Sequence, residues 1–148
     1  MTFANSAIPL QRKMTTRKEA TAACLDFGLC YEDYPFHDVN WTVMRHNGTG
    51  KTFALIYEHR GNMCINLKLP PQKCAWLQQN YAQITPGYHM NKRHWVTVIL
   101  DGTLPDEFIV SLIGESYDLT NKWCRWCVLH ILIFPFFSGF PTSSLIQS

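Results

Sequence analysis

The strongest constraint on the fold lies between residues 41 and 69, where three strand-forming runs are separated by turns too short to hold a crossover. Residues 41–46, 52–59 and 63–69 are rich in β-branched and aromatic side chains. Asn47, Gly48, Thr49 and Gly50 separate the first pair of runs, and Gly61 and Asn62 the second. Links this short reverse the chain, so the runs are expected to be antiparallel neighbours in a meander. In the third run Met63, Ile65, Leu67 and Leu69 alternate with Cys64, Asn66 and Lys68. That period of two predicts one buried face and one face in water.

The flanking segments read as helices that would cover the buried face. Thr16 and Glu19 have the spacing of a capping box. Ala20, Ala23, Cys24 and Phe27 then recur at helical spacing, and Gly28 can stop the helix. Residues 30–38 are expected to form a loop. Pro70 and Pro71 open a second helix with an apolar stripe of Cys74, Leu77 and Tyr81. Thr85, Pro86, Gly87 and Tyr88 suit a type II turn, residues 95–100 a fourth strand, and Asp101 with Gly102 its end. Thr103 is expected to cap a last helix, with Asp106 and Glu107 in its first turn and Phe108, Ile109, Leu112, Ile113 and Tyr117 on its buried face. The expected order is αβββαβα. This is an α+β fold, an antiparallel sheet with helices packed on one face.

These elements occupy residues 14–120, leaving residues 1–13 as an N-terminal extension and residues 121–148 as an atypical apolar tail. The tail reads as a non-native or poorly ordered extension, or as a segment packed on the domain or a partner. Its apolar run, residues 128–140, includes His130, Pro135 and Gly139. It falls short of the roughly 20 apolar residues that a spanning helix needs, so no integral membrane insertion is expected. Cys124 and Cys127 form a CxxC pair, and His130 would be only a third ligand, which is too little for a tetrahedral metal site. The other cysteines are at 24, 30, 64 and 74. Residues 1–13 hold no apolar core of signal-peptide length, so a cytoplasmic location with reduced, mostly buried thiols is expected.

Charge limits the function classes. Apolar residues at 47% and charged ones at 16% exclude a disordered chain. The whole chain carries +2, yet residues 14–122 hold ten of the 13 basic residues and all 11 acids, which leaves that span at −1. Strong nucleic-acid binders normally show a basic footprint, so any such function here depends on a local patch.

Residues 88–95 are the densest polar and aromatic segment. Lys92 and Arg93 could meet phosphates while Tyr88 or Trp95 stacks on a base, and Arg45, Lys51 and Lys68 could extend the patch from the hairpins, with Arg60 near a hairpin end. Alternatively Asn66, His89, Asn91, His94 and Trp95 could converge on a small molecule or a protein. The plainer account makes Trp95 a core residue, has His89 and Asn91 bond the loop, and leaves the two cations in water. The six histidines, at 37, 46, 59, 89, 94 and 130, show no HxxxH or HExxH spacing, so no metal is expected. GxSxG, P-loop and GxGxxG patterns are absent, and Glu32, Asp33 and Asp38 read as loop-capping carboxylates rather than acid–base groups. Neither a catalytic residue nor a cofactor is expected.

Several motifs resemble the MmcQ/YjbR-type proteins. They are Tyr31 to Phe36 (YEDYPF), Trp41 to Arg45 (WTVMR), Lys51 to Ala54 (KTFA), Ile65 to Lys68 (INLK) and Thr85 to Trp95 (TPGYHMNKRHW). Asp101 with Gly102, and Glu115 to Leu119, agree as well. The resemblance implies a fold similar to CyaY/frataxin and a DNA-binding role, with a double-wing arrangement. Iron delivery is disfavoured, because residues 16–27 offer only Glu19 and Asp26 beside Arg17 and Lys18. The expected function is therefore a non-enzymatic DNA-binding module with weak, salt-dependent affinity. A small-molecule or protein-binding domain built on residues 89–95 is the alternative.

Overall fold

The computed structural model describes residues 13–121. The expectations for the CxxC pair, His130 and the apolar run 128–140, and for residues 1–12, lie outside the described residues.

Thr16 starts α1 (Arg17–Leu25) as its spacing requires, its hydroxyl accepting the Glu19 N–H while the Glu19 carboxylate accepts the Thr16 N–H. Then come β1 (Cys30–Asp33), β2 (Thr42–His46), β3 (Thr52–His59), β4 (Asn62–Lys68), α2 (Pro71–Asn80), β5 (Ile84–Pro86), β6 (Trp95–Leu100) and α3 (Asp106–Thr120). The strands form one antiparallel sheet in the order β1-β2-β3-β4-β6-β5.

The α+β class and the antiparallel sheet are as expected, with two strands added. Residues 30–33, read as loop, pair with β2, and residues 84–86 pair with β6. Both are short edge strands, below the length at which alternation shows in a sequence. Three turn and cap details also differ. The β3–β4 turn is Arg60 and Gly61, both at positive φ, with His59 opposite Asn62. Thr103 does not cap α3. Its N–H bonds to Asp101, and Pro105 takes the cap position. Nor do residues 85–88 form a type II turn, since Gly87 lacks the positive φ that such a turn needs.

One helix-side core gathers Ala20 and Cys24 of α1, Cys74 and Leu77 of α2, and Ile109, Leu112 and Ile113 of α3 against Met44, Ala54, Ile56, Ile65, Leu67, Val96 and Val98. All three helices thus cover one face. A bulge opposite Met44 and Arg45 also turns Phe53 to that side, where it packs edge-on against Tyr117. The opposite face is not wholly wet. Val43, Leu55, Tyr57, Cys64, Asn66 and Thr97 are buried there, although no helix lies over them.

Candidate functional site

What covers the helix-free face is the segment leaving β5. Gly87 allows it to come close, because a Cβ there would stand 2.8 Å from the Trp95 Cβ and 2.9 Å from the Trp95 carbonyl oxygen. The Gly87 N–H donates to that same carbonyl at 3.0 Å.

Tyr88 is then clamped by side chains from two strands. Thr97 Oγ1 accepts the Tyr88 N–H at 2.9 Å, and Asn66 Nδ2 donates to the Tyr88 carbonyl at 2.9 Å. Asn66 Oδ1 in turn accepts the hydroxyls of Tyr57 (2.8 Å) and Thr97 (2.6 Å). This buried network satisfies every member that a burial cost would otherwise penalise. Desolvation pushes the Tyr57 hydroxyl pKa well up, so it stays a neutral donor.

Rings build outward from the clamp. Trp41 stacks on Tyr57 at 4.3 Å, Tyr88 lies parallel to Trp41 at 6.4 Å, and His59 and His89 flank Tyr88 at 4.3 and 4.0 Å. His89 holds a left-handed backbone, φ 60°, which costs a non-glycine residue on the order of 1 kcal/mol and places its ring against Trp41. Trp41 is positioned from below. Asn40 bonds both the N–H and the C=O of Glu58, and Arg17 reaches across to Asn40 Oδ1, Thr42 Oγ1 and the Ile56 carbonyl.

Between these rings and residues 36–38 lies a recess of about 330 Å³, lined by Phe36, Asp38, Trp41, Leu55, His89 and Met90. A larger groove of about 480 Å³ runs beside α1, lined by Met14, Lys18, Glu19, Ala22 and neighbours. It offers no aromatic ring. Two of its carboxylates are already used, Glu19 in the cap and Asp106 on the Met14 N–H.

The expected site residues separate into distinct roles. His89 lines the recess. Asn66 is fully buried and holds Tyr88 instead of facing a ligand. Asn91 closes the loop, its Oδ1 accepting the N–H groups of Arg93 and His94. His94 gives its carbonyl to the Leu69 N–H. Trp95 sits half-buried opposite Lys68, outside the recess. Among the cations, Arg45 pairs with Asp33 at 2.6 Å and also bonds Gly50 and Thr52. Lys92 folds back onto the Gly87 carbonyl. Lys51 is exposed beside the β2–β3 turn. Lys68 is half-buried at the end of β4, and Arg93 is exposed.

The sequence reading missed Phe36, Asp38, Trp41 and Met90 as a group. Phe36 and Asp38 lie in the segment expected to be loop, Trp41 at the start of the first strand run and Met90 inside the 88–95 segment, so no single stretch of sequence signalled the group. Among the described residues, no three His, Cys, Asp or Glu side chains gather as metal ligands.

A family model described as YjbR matches residues 25–119. The uncharacterized protein YyaQ of Bacillus subtilis is 35% identical over 100 residues, covering 60% of this chain and 84% of its own. Two Escherichia coli proteins match shorter stretches. YbdF of strain O157:H7 is 46% identical over 70 residues, and YjbR of strain K12 is 40% identical over 65. Those matches cover 47% and 44% of this chain but only 57% and 55% of these two relatives. A Deinococcus radiodurans protein with a DUF419 domain superposes with a TM-score of 0.68 at 35% identity, over 76% of this chain and 83% of that one. A Pseudomonas syringae protein does so at 0.64 and 30%, over 72% and 99%.

Proposed function

The chain belongs to the YjbR family, and from that premise we propose that it is a cytoplasmic, non-enzymatic binding module whose ligand site is the aromatic recess on the helix-free face. One observation carries the reading. The recess is walled by Phe36, Trp41, Leu55, His89 and Met90, and a fully bonded polar network fixes Tyr57 and Tyr88, the rings against which Trp41 and His89 pack, so these two walls are held in place before any ligand arrives. Apolar walls with a few fixed polar groups are what small-molecule sites have in common.

The thiols support the non-enzymatic part. Cys24, Cys64 and Cys74 are buried and free, and desolvation raises each pKa, that of Cys64 to about 11. None is therefore a ready thiolate nucleophile near neutral pH. Free cysteines also suit a reducing compartment.

Indole is a suitable probe, because it matches the walls in size and can stack. In a 1H–15N spectrum it should shift the Trp41 indole signal and the His89 and Met90 amides saturably. Shifts confined to other residues would remove the reading.

DNA binding is the second reading, carried by the strand register. Pairing of Arg45 with Thr52 and of Lys68 with Trp95 brings these cations and the end of the 87–95 segment to one end of the sheet. Arg45 is neutralised by Asp33, so Lys68 and Arg93 would carry most of the phosphate contact. Affinity should then fall steeply with salt, and Lys68→Ala with Arg93→Ala should flatten that slope. A DNA titration insensitive to both changes would discard this reading.

A further inference from the structure

The chemistry of the recess selects among small ligands. Its lining has one carboxylate, Asp38, and no lysine or arginine. Its rings stand at different angles. Phe36 meets Trp41 at 78° with centroids 6.3 Å apart, and His89 meets it at 52° and 6.2 Å. Walls at such angles enclose a compact head on several sides, whereas a flat guest would find only one parallel surface. Ring faces are the negative part of an aromatic quadrupole, so a head held among them gains most if it is cationic.

Asp38 adds charge complementarity. Its Oδ1 accepts the Asn40 N–H at 2.9 Å, which fixes the carboxylate at the recess while Oδ2 makes no bond among the described residues. Phe36, which lines the recess, is 52% exposed, so the recess is open to solvent on that side.

Resting on the recess being the binding site, we propose that its ligand carries an alkylated ammonium head, seated against Trp41, Phe36 and His89 with Asp38 as counter-charge. A fully alkylated nitrogen has no N–H to leave unpaired in an apolar recess. A primary ammonium would need three acceptors, and the lining supplies one carboxylate.

Choline and 3,3-dimethylbutan-1-ol test the charge directly, since they share a shape and differ in carbon for nitrogen. Titrated into the full chain, choline should shift the Trp41 indole N–H and the His89 and Met90 amides, with about tenfold higher affinity than the neutral alcohol. Asp38→Asn, which keeps the oxygen that accepts from Asn40, should weaken choline severalfold and leave the alcohol unchanged. Phe36→Ala, at an exposed position, should weaken both. Equal affinities for the two probes, or no saturable shift with choline, would overturn the ammonium assignment. If indole still binds in that case, the recess remains the site. If indole leaves the same signals unmoved, the site reading falls too.

Discussion

Asn66 shows how far a residue's role can depart from its type. On the strand pattern it belongs to the polar face, and an amide there suggests a ligand contact. In the fold it is fully buried, and it ties Tyr57, Thr97 and Tyr88 into one network. Replacing it strands the Tyr88 carbonyl and leaves the Tyr57 and Thr97 hydroxyls, 3.1 Å apart, with only each other in place of their shared acceptor. Asn66→Ala should cost about 2–3 kcal/mol in urea unfolding and should loosen the recess, seen as loss of the indole response. His46 is the second informative residue. It is buried between Phe53 and Tyr117, with Nε2 2.8 Å from Thr120 Oγ1 and Nδ1 unpartnered among the described residues. Burial, helped by the Lys51 charge, lowers its pKa below the ordinary value. The unfolded chain therefore binds the proton first as pH falls. The His46 contribution is intact above about pH 6.5 and declines as the pH drops below it. Urea midpoints at about pH 7.5 and 5.5 should lie closer together in His46→Phe than in the parent.

At the scale of elements, the β3–β4 hairpin turns on two positive-φ residues, and the first is an arginine. This is the turn geometry for which asparagine before glycine is favoured. Arg60→Asn should raise stability by about 0.5 kcal/mol, measured by denaturant midpoint at unchanged slope. Other elements were legible in advance for clear local reasons. The capping box fixed the start of α1, Pro71 fixed that of α2, alternation marked β4, and β-branched and aromatic content between turn residues placed β3 and β6. The short edges β1 and β5 were not legible. Three or four residues carry no measurable period, and their pairing depends on a neighbour already in place.

At the scale of the molecule, the helix-side core of the described residues runs from Met14 to Tyr117, and the nine elements among them fall between Arg17 and Thr120. Residues 13–121 alone should unfold in one cooperative transition, as followed by circular dichroism. Starting instead at residue 15 should cost about 2–3 kcal/mol. That cut removes the buried Met14 side chain and the N–H that bonds Asp106. Among the described residues, no helix is long and apolar enough to cross a membrane.

Local patterning is enough for the α+β class, the antiparallel meander and the two faces of β4, because those follow from residue type, short turns and periods of two and of about 3.6. The same reading made the second face polar, and it stopped there. That this face closes into a recess is a matter of long-range packing. The closure depends on Asn66 and Thr97 reaching Tyr88, 22 and nine positions away, and on Gly87 lying against Trp95. Contacts at that separation leave no local period, since each side chain obeys its own strand and the meeting point exists only once the sheet has formed.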